Sequence, residues 1–442
     1  MSQDVGYAAI FVNVKTKLTV KVVLFGVASV KYMRLWNRNY TMVVIGQIIS
    51  LFANNILHFA LSLYILDVTG SGAAFGIIMA VSMIPMVLFM PFGGVLADRV
   101  NRKKIMVAMD FFTGLVILLA YMPLFGSTPI PAVAGLLIIL SIIEAFYTPC
   151  VQASIPVLQE PDNLVKANAI VNQIGMTSNI VGAILGGVLY GFLGIKPIVL
   201  LSVVFFIASA IMEIFIVIPH TRPESAATGL FSIIKADFKE SVRFITKEQR
   251  NILKLIPTIA ILNFSVTSML TVGAPYIIRI LLGMSSELYG LATGLISGAG
   301  VLGGLVAVML SSKLKIKSLY KVLILIGLSM VPMGVGFIIW GNYFVLYALT
   351  TVCLMIGEVC ACIFSVFVVS AIELKTPAHL LGKVMAFITT ISICAEPLGR
   401  AVYGVLFDVF HDNVYVLLLA TAIFIMAFSF TTKRPLAEMG SE

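Results

Sequence analysis

Three ionisable side chains interrupt long apolar runs of the sequence. Glu144 and Glu358 have no local basic partner, and His58 lies in a third apolar run. Burial away from water favours the neutral form of a carboxyl group, so such a group can bind a proton and release it when its surroundings change. Histidine titrates near neutral pH without help, although it also serves as a hydrogen-bonding wall residue. We therefore consider Glu144, Glu358 and His58 as proton-carrying candidates.

Other polar residues in the apolar runs recur at helical spacing. Gln47, Asn54 and His58 follow one another at seven and four residues, which places them along one face of a helix. Glu396 and Arg400 are one helical turn apart and predict an ion pair, either structural or part of a substrate site.

The composition indicates that the apolar runs containing these residues lie in a membrane. The 442 residues are 60% hydrophobic and 11% charged, with a mean hydropathy of +1.08, whereas soluble proteins have about 25% charged residues. The sequence contains twelve apolar runs that are long enough to cross a bilayer. Lipid offers the backbone no hydrogen-bond partners, so each run is expected to form a helix. The predicted spans are 41–66, 73–97, 105–125, 131–153, 166–193, 196–218, 252–281, 287–310, 319–340, 343–371, 380–406 and 413–431.

Basic residues indicate the orientation of the spans. Of the 29 Lys and Arg residues, 26 lie in the two tails or near alternate loops, and the other loops hold only Lys196 and Arg279. By the positive-inside rule, both termini and the central loop are expected in the cytoplasm. Basic residues dispersed over short loops also argue against nucleic-acid binding.

The loops and tails divide the chain into five predicted segments. Residues 1–40 form a cytoplasmic N-terminal segment, within which 18–30 is too short to span and Met33 is an alternative start. Two six-helix bundles follow, at 41–218 and 252–431. The linker between them, 219–251, contains an amphipathic pattern that fits a membrane-surface helix or a simple tether, and 432–442 is a cytoplasmic tail.

A basic loop after the second span carries a recognisable motif. Gly94-Val95-Leu96-Ala97-Asp98-Arg99-Val100-Asn101-Arg102-Lys103-Lys104 closely resembles the G-x-L-A-D-R-x-G-R-K signature of the major facilitator superfamily. Similar patterns at 146–149, 238–245 and 381–384 extend the resemblance to the drug:proton antiporter branch that includes macrolide and siderophore exporters.

The resemblance implies an all-α membrane protein with twelve transmembrane helices in two six-helix bundles. It also implies a gating latch that holds the bundles together in one access state, formed by Gly94, Asp98, Arg99, Asn101, Arg102 and Lys103. Gly94 is expected to let a neighbouring helix approach closely. Asn101 stands where the family has Gly and is expected to tolerate a left-handed turn.

Two further groups of residues follow from the resemblance. Gly182, Gly186 and Gly187 resemble an antiporter packing motif, G-P-x-x-G-G, in which Ala183 replaces Pro. In the family fold four helices line a central cavity, with others beside them. The substrate-cavity candidates are then Gln47, Asn54, His58, Glu144, Asn263, Glu358, Glu396 and Arg400.

Four acidic residues near the ends of spans are expected to be solvated or to snorkel to the interface: Asp67, Asp110, Glu213 and Glu373. The five cysteines show no metal-like spacing, and motifs for ATP binding or enzymatic catalysis are missing from the sequence. The sequence therefore predicts neither an enzyme nor a protein with a metal or organic cofactor, and points to the proton gradient as the energy source.

The expected function is export of a small amphipathic compound, such as a macrolide, across the cytoplasmic membrane of a prokaryote. The expected partners are the substrate, protons and membrane lipids, with the chain acting as a monomer. A facilitator of a physiological solute or lysophospholipid is the first alternative. A receptor or interaction protein that transports nothing is the second.

The predicted orientation can be tested by cysteine labelling in intact cells. In a background without the native cysteines, we expect Gly341→Cys to react with a membrane-impermeant maleimide, because its loop has no basic residue. Ser312→Cys, in a basic loop, should react only after the cells are opened. Labelling of both positions in intact cells would contradict the orientation.

Overall fold

The computed structural model describes residues 35–126, 129–219 and 230–439. Within them, twelve helices are long and apolar enough to cross a membrane, and no strand occurs. An additional short helix, α7, lies between the sixth and seventh spans. The helices are α1 Arg38–Thr69, α2 Gly72–Arg99, α3 Arg102–Leu124, α4 Pro129–Leu158, α5 Pro161–Leu193, α6 Ile195–Ile214, α7 Leu230–Arg243, α8 Arg250–Leu281, α9 Ser286–Leu310, α10 Leu319–Ile339, α11 Tyr343–Lys375, α12 Ala378–Val409 and α13 Val414–Met439.

Within each half of the chain, successive spans are joined by short connections and so alternate in direction. The face at which α1 begins and α13 ends is called the termini face below, and the other is called the opposite face. At the opposite face, Gly70, Gly194 and Gly283 have φ between 59° and 70°. Glycine adopts this left-handed conformation without a Cβ clash, which lets the chain turn sharply into the next helix.

The twelve predicted spans are confirmed, and the helices extend beyond several of the predicted ends. The first begins at Arg38 rather than 41, because Asn37 caps it by accepting a hydrogen bond from the Tyr40 amide. The last continues to Met439 rather than 431. Hydropathy marks where a helix leaves the apolar layer, whereas backbone hydrogen bonds and caps decide where it ends.

The seventh span, α8, is irregular in its second half. After Leu262, π-helical turns occupy Asn263–Thr267, Met269–Gly273 and Tyr276–Leu281. Such turns widen the helix locally and occur frequently at functional sites. In this helix they begin beside a cavity described below.

Two helix pairs bring the N-terminal and C-terminal halves of the chain together. Between α2 and α12, an added Cβ at Gly76 would lie 2.3 Å from the Arg400 carbonyl oxygen. Between α5 and α9, an added Cβ at Gly187 would lie 2.5 Å from the Ser286 carbonyl oxygen. These separations are shorter than any real Cβ contact, so each position requires glycine for the helices to pack this closely.

The expectation that Gly94 admits a neighbouring helix is wrong. A Cβ at Gly94 would meet nothing within 4 Å, whereas one at the adjacent Gly93 would lie 2.0 Å from the Ala145 carbonyl oxygen. Adjacent residues of a helix point about 100° apart, and it is Gly93 that faces α4.

The linker helix α7 contacts both α2 and α12. Lys383 of α12 forms an ion pair with Glu240 at 2.7 Å, and the rings of Phe238 and Phe387 meet edge to face with centroids 4.9 Å apart. The linker is thus attached to the first helix pair that joins the halves. The side chains of residues 231–235, which carry much of the predicted amphipathic pattern, lie outside the described residues, as does the N-terminal segment 1–34.

The two adjacent glycines provide a matched test of helix packing. We expect Gly93→Ala to lower the apparent thermal midpoint of the purified protein, because overpacking a well-packed contact costs about 1 to 3 kcal/mol. Gly94→Ala should leave the midpoint within error or raise it slightly, since its methyl group has space. Scanning fluorimetry in detergent measures both, and equal midpoints for the two variants would contradict the packing described.

Candidate functional site

A cavity of about 390 Å³ lies between α8 and α11, in the C-terminal half of the chain. Its wall is mainly apolar, with polar groups on both helices. Asn263 and Thr267 come from α8 at its first π turn, and Glu358 comes from α11. The remaining lining residues are Ile259, Leu262, Val266, Leu270, Ala361, Cys362, Phe364, Ser365, Val368 and Val369.

Glu358 is the ionisable residue of this cavity. On its α9 side the neighbour is Gly300, where an added Cβ would lie 3.1 Å from the Glu358 carboxylate oxygen, so the glycine leaves room for the carboxyl group. No cation among the described residues is paired with Glu358. A carboxyl group in this position can bind a proton or the positive charge of a ligand, and an apolar wall with few polar groups is typical of a small-molecule site.

A second set of polar residues, the ion pair of Glu396 and Arg400, connects α12 with α2. The Arg400 guanidinium donates to the Glu396 carboxylate at 2.5 Å and 3.1 Å, as the spacing predicts, and it also donates to the Met79 carbonyl oxygen at 3.4 Å. His58 of α1 is close enough to interact electrostatically with Arg400, and its Nε2 atom is buried without a hydrogen-bond partner. The structure therefore brings His58, Glu396 and Arg400 together, apart from the Glu358 cavity.

Gln47 does not face that cavity, contrary to the expectation from its stripe. Its side chain is only 4% exposed, and its Nε2 donates to the Tyr147 hydroxyl of α4 at 2.8 Å. Two other candidates, Asn54 and Glu144, are half-buried on α1 and α4 and are not among the lining residues. The spacing of polar residues shows which of them share a face of the helix, but it does not show which neighbouring helix that face contacts. In the structure, α1 packs against α4, α5 and α6.

At the opposite face, the Asp408 carboxylate joins the two halves. One of its oxygens accepts from the Gly72 amide at 2.7 Å, and the other accepts from the Ala73 amide at 2.9 Å and from the Ser71 hydroxyl at 2.6 Å. These donors form the first turn of α2, whose unpaired amides and dipole attract a negative charge. The contact lies next to the close packing of Gly72 and Gly76 against Gly404.

Further polar contacts surround the contact between Asp408 and the start of α2. Arg279, at the end of α8, forms an ion pair with Asp67 of α1 at 2.7 Å and donates to the Met284 carbonyl oxygen at 2.6 Å. The Tyr190 hydroxyl of α5 donates to the other Asp67 oxygen at 3.0 Å. Asp67 is thus paired rather than merely solvated, and the halves are closed against each other at this face.

The motif at the termini face is described in part. Asn101 has φ of −62°, so it is not left-handed as expected, and its side chain instead caps α3 by accepting from the Lys104 amide at 3.4 Å. The Arg102 Nε donates to the Ala97 carbonyl oxygen at 2.9 Å. Asp98 lies within α2, but its side chain is outside the described residues, and the latch role of Asp98, Arg99 and Lys103 stays a prediction.

The glycines of α5 pack against two helices. An added Cβ at Gly182 would lie 2.7 Å from Asn55, and one at Gly186 would lie 3.0 Å from the Phe59 ring, both on α1. Gly187 faces α9, as described above. The run of small residues therefore contacts both halves of the chain, although its role in limiting leakage stays a prediction.

Sequence reasoning missed three acidic residues. Asp408 was not singled out, and Asp110 and Glu213 were expected to be solvated, whereas their side chains are 2% and 1% exposed. Asp408 lies at the end of α12, and its contacts with the first turn of α2 arise only because these two helices pack together. Asp110 and Glu213 lie near helix ends in the sequence but face neighbouring helices, which hydropathy cannot reveal.

Replacing the Asp408 charge tests whether it closes the opposite face. Hydrogen bonds to a charged group contribute about 1.5 to 3 kcal/mol each, so we expect Asp408→Asn to weaken closure by about 2 kcal/mol, or about 30-fold in the ratio of closed to open protein. Spin labels at Val68 and Asn413, both near this face, would report a larger population at long distance. Asp412→Asn, four residues further on, is the control, and identical distance distributions for the two variants would contradict the role of Asp408.

The comparisons with known proteins agree with this architecture. The model of the Major Facilitator Superfamily matches residues 43–395. Macrolide efflux protein A of Streptococcus pyogenes is 30% identical over 189 residues, which are 42% of this chain and 46% of that protein, so the match spans about half the length of this relative. The MFS-type transporter YkuC of Bacillus subtilis is 22% identical over 404 residues, covering 88% of this chain and 90% of the relative.

Solved transporter structures share the fold. A bacterial homologue of the human lysosomal transporter Spinster superposes with a TM-score of 0.70 at 16% identity, covering 92% of this chain and 99% of that one. The nucleoside transporter NupG superposes with a TM-score of 0.68 at 11% identity, covering 92% and 100%. A family match over most of the chain, twelve apolar helices and this fold identify a multi-pass membrane transporter rather than an enzyme, and the chain belongs to the major facilitator superfamily.

Proposed function

We propose that the protein exports a small amphipathic compound by alternating access, in exchange for protons. The observation that carries the proposal is the cavity between α8 and α11, whose mainly apolar wall holds the Glu358 carboxyl group, which is paired with no cation among the described residues. Such a wall suits a compound with a large apolar surface, and the carboxyl group suits a positive charge on it. The similarity to macrolide efflux protein A supports an exported substrate of the macrolide type.

Alternating access needs two states in which the halves separate at one face or the other. The contacts of Asp408 and Asp67 describe closure at the opposite face. The substrate moves the equilibrium only if it binds the two states with different affinity. Rearrangement of the π turns in α8, which carry Asn263 and Thr267, is one way to change the cavity between states.

Protons provide the energy if they compete with the substrate for the same charge. When Glu358 is ionised it attracts a cationic compound, and when it is protonated that attraction is lost. A proton that enters from the outer side, where it is more concentrated in an energised cell, then favours substrate release there. This exchange needs no cofactor besides the proton gradient.

Inverted membrane vesicles provide the test. After the vesicles are energised and loaded with a pH-sensitive dye, macrolides, cationic dyes and lysophospholipids are added in turn. We expect a macrolide or cationic dye to release protons from vesicles with wild-type protein, and Glu358→Gln to reduce the release by at least about tenfold, since a buried charge contact contributes more than about 1.4 kcal/mol.

Glu373→Gln is a matched control on the same helix, because Glu373 is exposed and outside the cavity. It should release protons as the wild type does. Movement of a solute without proton release would indicate facilitated transport instead of antiport. Movement of lysophospholipid alone would indicate that the substrate is a lipid and not a drug-like compound. Full activity of Glu358→Gln would contradict the role given to the cavity.

A further inference from the structure

The N-terminal half encloses a second pair of carboxyl groups, separate from the Glu358 cavity. Asp110 of α3 and Glu213 of α6 interact electrostatically and are 2% and 1% exposed. Asp110 lies eight residues into α3, about 12 Å along the helix from the termini face. An apolar cluster that includes Val43, Met106 and Cys150 also contains Tyr147, the α4 side chain that contacts Glu213.

A hydrogen bond holds Glu213 in place, and one oxygen of each carboxyl group has no partner among the described residues. The Tyr147 hydroxyl donates to Glu213 Oε1 at 2.9 Å and accepts from Gln47 Nε2 at 2.8 Å. The Ser209 hydroxyl, which donates to the Gly46 carbonyl oxygen at 3.4 Å, lies near Asp110. The remaining atoms, Asp110 Oδ2 and Glu213 Oε2, are buried and have no hydrogen-bond partner in the part of the chain that the structure describes.

No positive charge among the described residues balances the two carboxyl groups. The titratable group that faces them from α4 is Tyr147, and α1 contributes the uncharged Gln47 and Ser50. Among the described residues, no Lys, Arg or His is hydrogen-bonded or ion-paired to Asp110 or Glu213. Two ionised carboxylates buried together without a cation would be strongly destabilising, both by desolvation and by mutual repulsion.

A bound cation resolves this imbalance, and the number of unpartnered atoms decides which cation fits. A calcium ion takes six to eight oxygen ligands, and magnesium takes six at fixed octahedral positions. The enclosed pair offers two unpartnered oxygens. A proton needs one oxygen to bind and one to accept its hydrogen bond, so the two oxygens match a proton and fall short of a metal ion.

We propose that Asp110 and Glu213 form a proton-binding site enclosed within the N-terminal half, and that its proton takes part in the exchange for substrate together with the proton at Glu358. The second clause rests on the proposed function, whereas the first does not.

Infrared spectroscopy of the purified protein tests the site without any substrate. A protonated carboxyl group has a C=O stretching band that a carboxylate lacks. At neutral pH we expect the wild type to show more of this band than the double variant Asp110→Asn, Glu213→Gln, by at least one group. Each single variant should retain a neutral acid, because the remaining buried carboxyl group still has no cation.

Two results would overturn the proton site. Equal bands in the wild type and the double variant would mean that both groups are ionised. Loss of the wild-type band on addition of sodium or calcium salts would mean that a metal ion occupies the pair. The second measurement uses the wild type alone, so it stands even if the double variant does not fold, and Glu373→Gln controls for the loss of an exposed carboxyl group.

Proton release by inverted vesicles tests the coupling. We expect the double variant to lose substrate-driven release that the wild type and Glu373→Gln show. Release retained by the double variant would assign the coupling proton to another group, such as Glu358, and would overturn the second clause. If the wild type releases no protons with any compound, the proposed antiport fails, and the infrared result still decides whether the pair binds a proton.

Discussion

Lipid cannot hydrogen-bond a protein backbone, and every feature of this structure depends on that constraint. It makes the twelve spans helical, since a helix satisfies its own amides and carbonyls. It also makes each charged side chain inside the bundle expensive unless it is paired, protonated or in contact with a cavity. Several ionisable residues of the described spans fall into these groups: Arg400 with Glu396, Asp408 with the start of α2, Glu358 in its cavity, and Asp110 with Glu213.

The same constraint explains how the two halves meet. Apolar surfaces of two helices have little to gain from each other in lipid, so association relies on close backbone approach and on polar contacts. At the opposite face both occur together, because the glycines of α2 and α12 bring the backbones close enough for Asp408 to reach the first amides of α2. A carboxylate that binds a helix terminus across an interface holds only while the helices stay in register. Such a contact can therefore open as a unit.

Hydropathy and loop charge were sufficient to predict the spans from the sequence, because apolar length is a direct requirement of the bilayer. The ion pair of Glu396 with Arg400 was also predictable, since both residues lie on one helix. Rotation of each helix and contacts between distant spans were not. Gly93 rather than Gly94 faces α4, Gln47 points to Tyr147 rather than to the cavity, and Asp110 meets Glu213 across about 100 residues of sequence. Each of these depends on which helices are neighbours, and the residues themselves give no local signal for it.

Alternating access requires the halves of the chain to move reciprocally at the two faces. Hydrogen–deuterium exchange, followed by mass spectrometry with and without an exported compound, measures both faces in one sample. The account predicts that peptides at the opposite-face ends of α1, α2, α8 and α12 and peptides at the termini-face ends of α4, α5 and α11 change exchange in opposite directions. A change in the same direction at both faces, or at one face alone, would contradict alternating access.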